Sequence, residues 1–292
     1  MPSSPLHRPV LAWYAEHARD LPWRAPGTSA WAVLVSEFML QQTPVARVLP
    51  VYLDWVQRWP APRDLTAEPP GEAVRAWGRL GYPRRALRLH EAAAAIVHRH
   101  AGAVPSSYDA LLALPGVGSY TAAAVASFAF GGRQAVVDTN VRRVLARAVS
   151  GSAQPAPALT ASERRLAETL VPDEPAVAAR WAVAVMELGA TVCTARAPAC
   201  TDCPVVGVCA WQTGGRPAYR GPVRRGQGYA GTDRQVRGLL LAVLRDADGP
   251  VTGAVLDAVW ADDPQRRRAL TGLVADGLVQ PAGPGSFRLP LQ

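Results

Sequence analysis

The chain has 292 residues, 49% of them hydrophobic, and a formal charge of +8 from 31 basic against 23 acidic side chains. All 31 basic residues are arginine, which excludes a side-chain Schiff base, a P-loop phosphate lysine and a lysine general base; the amine of Pro2, exposed by loss of Met1, is the remaining route to a Schiff base. The apolar content excludes a wholly disordered chain, and the basic excess favours a polyanionic partner.

The first twenty residues mix Arg8, Glu16, Arg19 and Asp20 with apolar side chains, so they lack a signal-peptide core and a cytoplasmic, nucleoid-associated protein is expected. Apolar residues then recur at helical spacing from Leu6 to about Trp211, in short segments broken by Pro or Gly. The spacing predicts helices over Ala30–Gln42, Val45–Trp59, Glu72–Leu80, Arg84–His100, Tyr108–Leu114, Ser119–Phe130, Thr139–Val149 and Pro175–Leu188. The uncharged run from Ala110 to Gly132 is interrupted by Pro115, Gly116 and Gly118, leaving too little continuous helix to span a membrane.

Ser150–Ala161 reads as a surface connection, and Gly214–Gly231 as a linker carrying Arg216, Arg220, Arg224 and Arg225. Beyond it, Asp233–Arg245, Thr252–Trp260 and Pro264–Ala275 read as helices and Leu278–Leu289 as two short strands around Pro284-Gly285. Three helices and a terminal hairpin suggest a small winged-helix-like module over 232–292. Its Arg266-Arg267-Arg268 run suits either DNA binding or an exposed helix face.

Three features carry chemistry. Cys193, Cys200, Cys203 and Cys209 are all the cysteines of the chain and form C-x6-C-x2-C-x5-C. In a cytoplasmic protein such clustering argues for metal over disulfides, and the spacing alone leaves zinc and a 4Fe-4S cluster both open. Leu114-Pro115-Gly116-Val117-Gly118 joins two predicted helices, and its glycines would let backbone N–H groups converge on a DNA phosphate. Asp138 precedes Thr139-Asn140-Val141-Arg142-Arg143-Val144 and alone reads as an N-cap.

The hairpin L-P-G-V-G, the Asp before N-V-R-R-V and the cysteine spacing, in this order, resemble the helix-hairpin-helix DNA glycosylases of the endonuclease III superfamily. The resemblance covers roughly residues 6 to 213. It implies a mainly α, two-lobed helix-hairpin-helix DNA glycosylase fold, with a six-helix lobe over about 25–136 and a cluster lobe made of the N-terminal helix plus about 137–213. It also implies that the four cysteines hold a 4Fe-4S cluster and that Leu114, Gly116 and Gly118 meet DNA. The segment Val35-Ser36-Glu37-Phe38-Met39-Leu40-Gln41-Gln42-Thr43, with Leu21-Pro22-Trp23-Arg24 and Leu80-Gly81-Tyr82, is similar to the A/G-specific adenine DNA glycosylases.

That resemblance implies a mechanism. Breaking an N-glycosidic bond to a purine calls for protonation of the base and stabilisation of an oxocarbenium-like sugar, hence two carboxylates. Glu37 is expected to protonate adenine N7, with its pKa raised by a desolvated pocket, while Asp138 stays ionised beside the sugar with Tyr120 near it. Gln42 and Tyr82 match positions that wedge into the duplex, and Trp23 and Arg24 are expected to contact DNA. Tyr120 stands where the lyase-competent branch carries lysine, implying a monofunctional enzyme.

The expected partner is double-stranded DNA containing a mispair, met by a monomer with no membrane association. The chain departs from the family at Thr139, where glycine is common, at Val183, where Gln or Glu is common, and in that the residues after Trp211 do not resemble the larger Nudix-like domain many members carry. A G:T mismatch thymine glycosylase and a non-catalytic iron-sulfur DNA sensor are the competing readings.

Overall fold

The computed structural model describes residues 4–222 and 228–291, so Pro2, Arg224 and Arg225 lie outside the described residues. Among the described residues the helices run α1 (His7–His17), α2 (Ala30–Leu40), α3 (Val45–Arg58), α4 (Pro62–Thr66), α5 (Pro70–Ala76), α6 (Arg84–Arg99), α7 (Tyr108–Leu112) and α8 (Ser119–Phe128). They continue with α9 (Thr139–Ala148), α10 (Ala161–Thr169), α11 (Pro175–Thr191), α12 (Ala210–Thr213) and α13 (Asp233–Asp246). The C-terminal part adds β1 (Val251–Thr252), α14 (Gly253–Asp257), α15 (Asp263–Ala275), β2 (Gln280–Pro281) and β3 (Ser286–Arg288). The body is therefore mainly helical, and among the described residues no helix is long and apolar enough to cross a membrane.

The helix boundaries follow local chemistry. Pro44 enters α3 in an extended conformation, after which Val48, Tyr52 and Trp55 fall on one buried face. Thr160 and Glu163 form a capping box at the start of α10. Glu174 caps α11 by accepting the N–H groups of Ala176 and Val177 at 3.0 and 2.6 Å, with Pro175 at the first helical position.

The chain divides into two compact units. The first comprises Met1–Val33, Ser106–Ala113 and Val117–Val223. Its core joins α1, α9 and α11 through Trp13, Val144, Leu145, Trp181, Val185 and Leu188. The crossing of α9 and α11 is so close that a Cβ on Gly189 would lie 2.7 Å from Asn140 Cβ, so only glycine is accommodated there. Glu187 of α11 is fully buried and paired with Arg19, at 2.5 and 2.8 Å, and with Arg24 at 2.9 Å.

The second unit comprises Leu34–Pro105, Leu114–Gly116 and Arg224–Gln292. Trp55, Trp59 and Trp77 are fully buried and meet edge to face, with Trp55 centred 4.6 Å from Trp59 and 5.6 Å from Trp77. The C-terminal segment has the element order α13-β1-α14-α15-β2-β3 and an antiparallel sheet ordered β1-β3-β2, which is a winged-helix arrangement. β1 had no signal in the sequence, being two residues long; it pairs Val251 with Phe287.

This module is fastened to α5. Gly71 donates its N–H to the Pro290 carbonyl at 2.8 Å, and a Cβ on Gly71 would strike that oxygen. Arg245 donates to the Val74 carbonyl at 2.9 Å, while Arg75 donates in return to the Arg245 carbonyl. Burial lowers the Arg245 guanidinium to about 10.

The arginine run of α15 is engaged internally. Arg266 bonds Asp257 and Asp263, Arg267 bonds Asp263, and Arg268 bonds Asp233. Residues 232–292 contain seven arginines and seven aspartates, so the excess of +8 resides entirely in the preceding sequence. Arg266 is buried, and an exposed, neutralised helix face describes Arg267 and Arg268 better than a phosphate-binding one.

Candidate active site

In the first unit, α9 begins at Asp138, whose Oδ1 accepts the Val141 N–H at 2.7 Å. Its Oδ2 accepts from Asn140 Nδ2, also at 2.7 Å. Burial dominates and pushes this carboxyl above the usual carboxylate range, against the hydrogen bonds from Val141 and Asn140 and the charge of Arg143. The sequence-based expectation of a readily ionised Asp138 thus meets an opposing desolvation.

The same helix reaches the cysteine loop. Arg143 Nη2 donates to Asn140 Oδ1 at 2.7 Å, and its Nε donates to the Cys193 carbonyl at 2.7 Å. One turn on, Arg147 Nη1 lies 3.4 Å from Cys193 Sγ and its guanidinium stacks over Trp211 at 5.0 Å. A hydrogen-bonded path therefore runs from the Asp138 carboxylate to a cysteine of the cluster motif.

Cys193, Cys200, Cys203 and Cys209 are free thiols that line one cavity with Arg147 and Trp211. Among the described residues no three His, Cys, Asp or Glu side chains converge on one point as ligands of a single ion would. Burial pushes the Cys203 thiol up to about 11 and raises Cys193 as well. Four thiols around a shared void are a donor set that suits either a zinc ion or a polynuclear iron-sulfur group.

Tyr120, in the first turn of α8, is half-buried and packs against the cluster of Ala123, Ala124, Val136 and Ala182, whose Val136 lies two residues before Asp138. Gly118 is the N-cap of α8, and no atom lies within 4 Å of where its Cβ would stand, so the approach to this helix start is open. Gly116 holds φ +74°, and a Cβ there would meet Arg88 Cβ at 2.6 Å. Three more of the residues expected to meet DNA have side chains engaged within the fold. Leu114 and Trp23 are buried, and Arg24 is committed to Glu187.

In the second unit, Glu37 sits on α2 with 4% exposure, between buried Val35, Ser36, Phe38 and Met39. Gln42, just beyond α2, and Tyr82, before α6, are both exposed and both left-handed, with φ of 57° and 48°.

Residues 35–169 match the model of the HhH-GPD superfamily base excision DNA repair proteins. The chain is 56% identical to the adenine DNA glycosylase of Mycolicibacterium smegmatis over 96% of its own length and 94% of that protein. The chain belongs to the adenine DNA glycosylase family. The adenine DNA glycosylase of Mycobacterium tuberculosis is 55% identical over 96% of this chain and 92% of that one. Among solved structures, a thermostable thymine-DNA glycosylase aligns with a TM-score of 0.63 and 30% identity, covering 71% of this chain and 94% of its own.

Membership of the adenine DNA glycosylase family extends through the C-terminal module, because the alignments with both mycobacterial relatives cover nearly the whole of each chain. Sequence reasoning missed Asn140 and Arg143 as the side chains that organise Asp138, and it missed the buried Glu187 pair in the first unit and the bonds of Arg85 in the second. Asn140 and Arg143 lay inside the N-V-R-R-V segment, and their i, i+3 spacing was the available signal. Glu187 and Arg85 offered none, since their partners are remote in sequence or are backbone carbonyls.

Proposed function

We propose that this chain is a monofunctional base-excision-repair glycosylase that hydrolyses the bond between deoxyribose and adenine mispaired with 8-oxoguanine or guanine. Its partner is double-stranded DNA, and it acts as a monomer in the cytoplasm. The observation that carries the adenine reading is the 56% identity over nearly the full chain to an adenine DNA glycosylase. The thymine-DNA glycosylase structure shares 30% identity over 71% of it.

In this reading Glu37 donates a proton to adenine N7. Its position in an apolar stretch of α2, away from bulk water, suits an acid that serves one transfer. The bond then breaks toward the neutral base, leaving positive charge on the sugar, which Asp138 stabilises. Desolvation disfavours a lone Asp138 anion, and a cation forming beside it supplies the partner that burial withholds. The hydrogen bonds from Val141 and Asn140 fix both carboxylate oxygens for that task. Water then adds to the sugar carbon, its proton passing to the Glu37 carboxylate and restoring the acid, and Tyr120 supports Asp138 from α8.

With no lysine in the chain, no side-chain amine is available to open the sugar and cut the strand. Cys193, Cys200, Cys203 and Cys209 would hold the 4Fe-4S cluster. When bound, such a cluster ties the loop together through iron-thiolate bonds. Arg147 and Arg143 then secure Cys193 to α9.

Single-turnover base release from duplexes containing A:8-oxoguanine, A:G and G:T tests the assignment. Adenine release from the first two is expected, and release of thymine without adenine contradicts it.

A further inference from the structure

We propose that Arg85 is a positioning residue that laces the Gln42 and Tyr82 loops into one preorganised wedge for extruding the target base. The inference rests on the reading above, in which this chain removes a base from duplex DNA.

Non-glycine residues rarely hold a left-handed backbone, and they persist there only where their surroundings over-determine it. Gln42 and Tyr82 both do so while remaining exposed, Tyr82 at 51%. Exposed side chains gain little from packing, so the constraint must come from the flanking backbone.

Arg85 supplies it from the first turn of α6. Its Nη1 donates to the Phe38 carbonyl at 3.0 Å and also to the Gln41 carbonyl, gripping the end of α2 directly before Gln42. Its guanidinium lies 4.9 Å from the Tyr82 ring centroid and 5.9 Å from that of Trp77. One planar cation thus touches both loops at once, which the point charge of a lysine would not reproduce.

Further bonds run between the same two segments. Thr43 donates to the Leu80 carbonyl at 3.2 Å, and Arg47 donates to the Arg79 carbonyl. Within the second segment itself, Trp77 Nε1 donates to the Gly81 carbonyl at 3.0 Å. Each loop is therefore held by side chains rooted beside the other. Arg85 Nη2 is buried without a hydrogen-bond partner, so the guanidinium is retained there despite a donor left unsatisfied. Two residues fixed in this way enter a base stack without first being ordered by it, which lowers the barrier to extrusion.

The test uses the full-length enzyme with Arg85→Met, Tyr82→Ala and the double variant, on a duplex carrying 2-aminopurine at the target position. Extrusion is read as the rise of 2-aminopurine fluorescence in stopped flow, and affinity is read separately on an undamaged duplex. Arg85→Met is expected to slow extrusion about tenfold at saturating enzyme, with affinity for undamaged duplex within about threefold of wild type. In the Tyr82→Ala background Arg85→Met is expected to add clearly less than tenfold, because only the Gln42 loop is left for it to hold. Extrusion at the wild-type rate, or slowing that simply multiplies with that of Tyr82→Ala, overturns the proposal. Should Arg85→Met fold poorly, Thr43→Val removes an independent lace and is expected to slow extrusion about threefold, by the same coupled pattern. If Tyr82→Ala and Gln42→Ala both extrude the base normally, the proposal falls because these residues do not enter the duplex, a failure distinct from that of Arg85 alone.

Discussion

Asp138 and Cys193 are linked through two intervening side chains: Asn140 donates to Asp138 and accepts from Arg143, which donates to the Cys193 carbonyl. The carboxylate assigned to the sugar cation is thereby oriented from the same helix that secures the cysteine loop.

Asn140→Ala removes the donor to Asp138 Oδ2 and the acceptor of Arg143. It takes away one of the interactions that oppose the burial-driven rise of the Asp138 carboxyl. In the proposed reaction Asp138 acts ionised, so the acidic limb of the single-turnover rate should move to higher pH. The rate on its plateau should fall about 10–100-fold. A pH profile with an unmoved acidic limb would count against this role.

Asp138→Asn should stabilise the fold while abolishing activity. The folded-state carboxyl is raised above its unfolded value, so folding is favoured below the unfolded pKa and weakened as pH rises through the folded one. Asparagine keeps the N-cap without the buried charge. At neutral pH a gain of about 2–4 °C in Tm is expected, shrinking as pH falls through the folded pKa and gone below the unfolded one. Thermal melts at several pH values check it.

Glu187 behaves oppositely. Burial alone would raise its carboxyl, but the hydrogen bonds and charges of Arg19 and Arg24 outweigh it and hold it at about 2. Its contribution is therefore present above the unfolded value and lost as pH falls toward about 2. Glu187→Gln should cost about 2–3 kcal/mol in denaturant unfolding, less than for a fully buried pair because Arg19 is partly solvated.

The cysteine loop is tested by metal content. Purified protein should carry iron and acid-labile sulfide, and substitution of Cys203 by alanine should lower both. Stoichiometric zinc without iron would reverse the choice that spacing alone left open.

Periodicity located most long helices because each buries one face. Val48, Tyr52 and Trp55 mark α3 as plainly in sequence as in space. The winged-helix order was likewise legible, apart from β1, which exists only through its pairing with β3. Helix α10 escaped notice although its Thr160-x-x-Glu163 capping box was visible, because its burial is slight and only Ala167 is fully covered. Glu37 and Asp138 stood out through their motifs. Their environments did not, since the desolvation of Asp138 and the inward turn of Arg24 toward Glu187 depend on elements far apart in the chain.

That Glu37 and Asp138 carry adenine excision is tested most directly by single-turnover adenine release from an A:8-oxoguanine duplex, comparing wild type, Glu37→Gln and Asp138→Asn alongside duplex affinity. Rapid release by wild type is expected, with a loss of about 10³-fold or more in each variant and affinity largely retained. Adenine release by either variant at near the wild-type rate would contradict these roles.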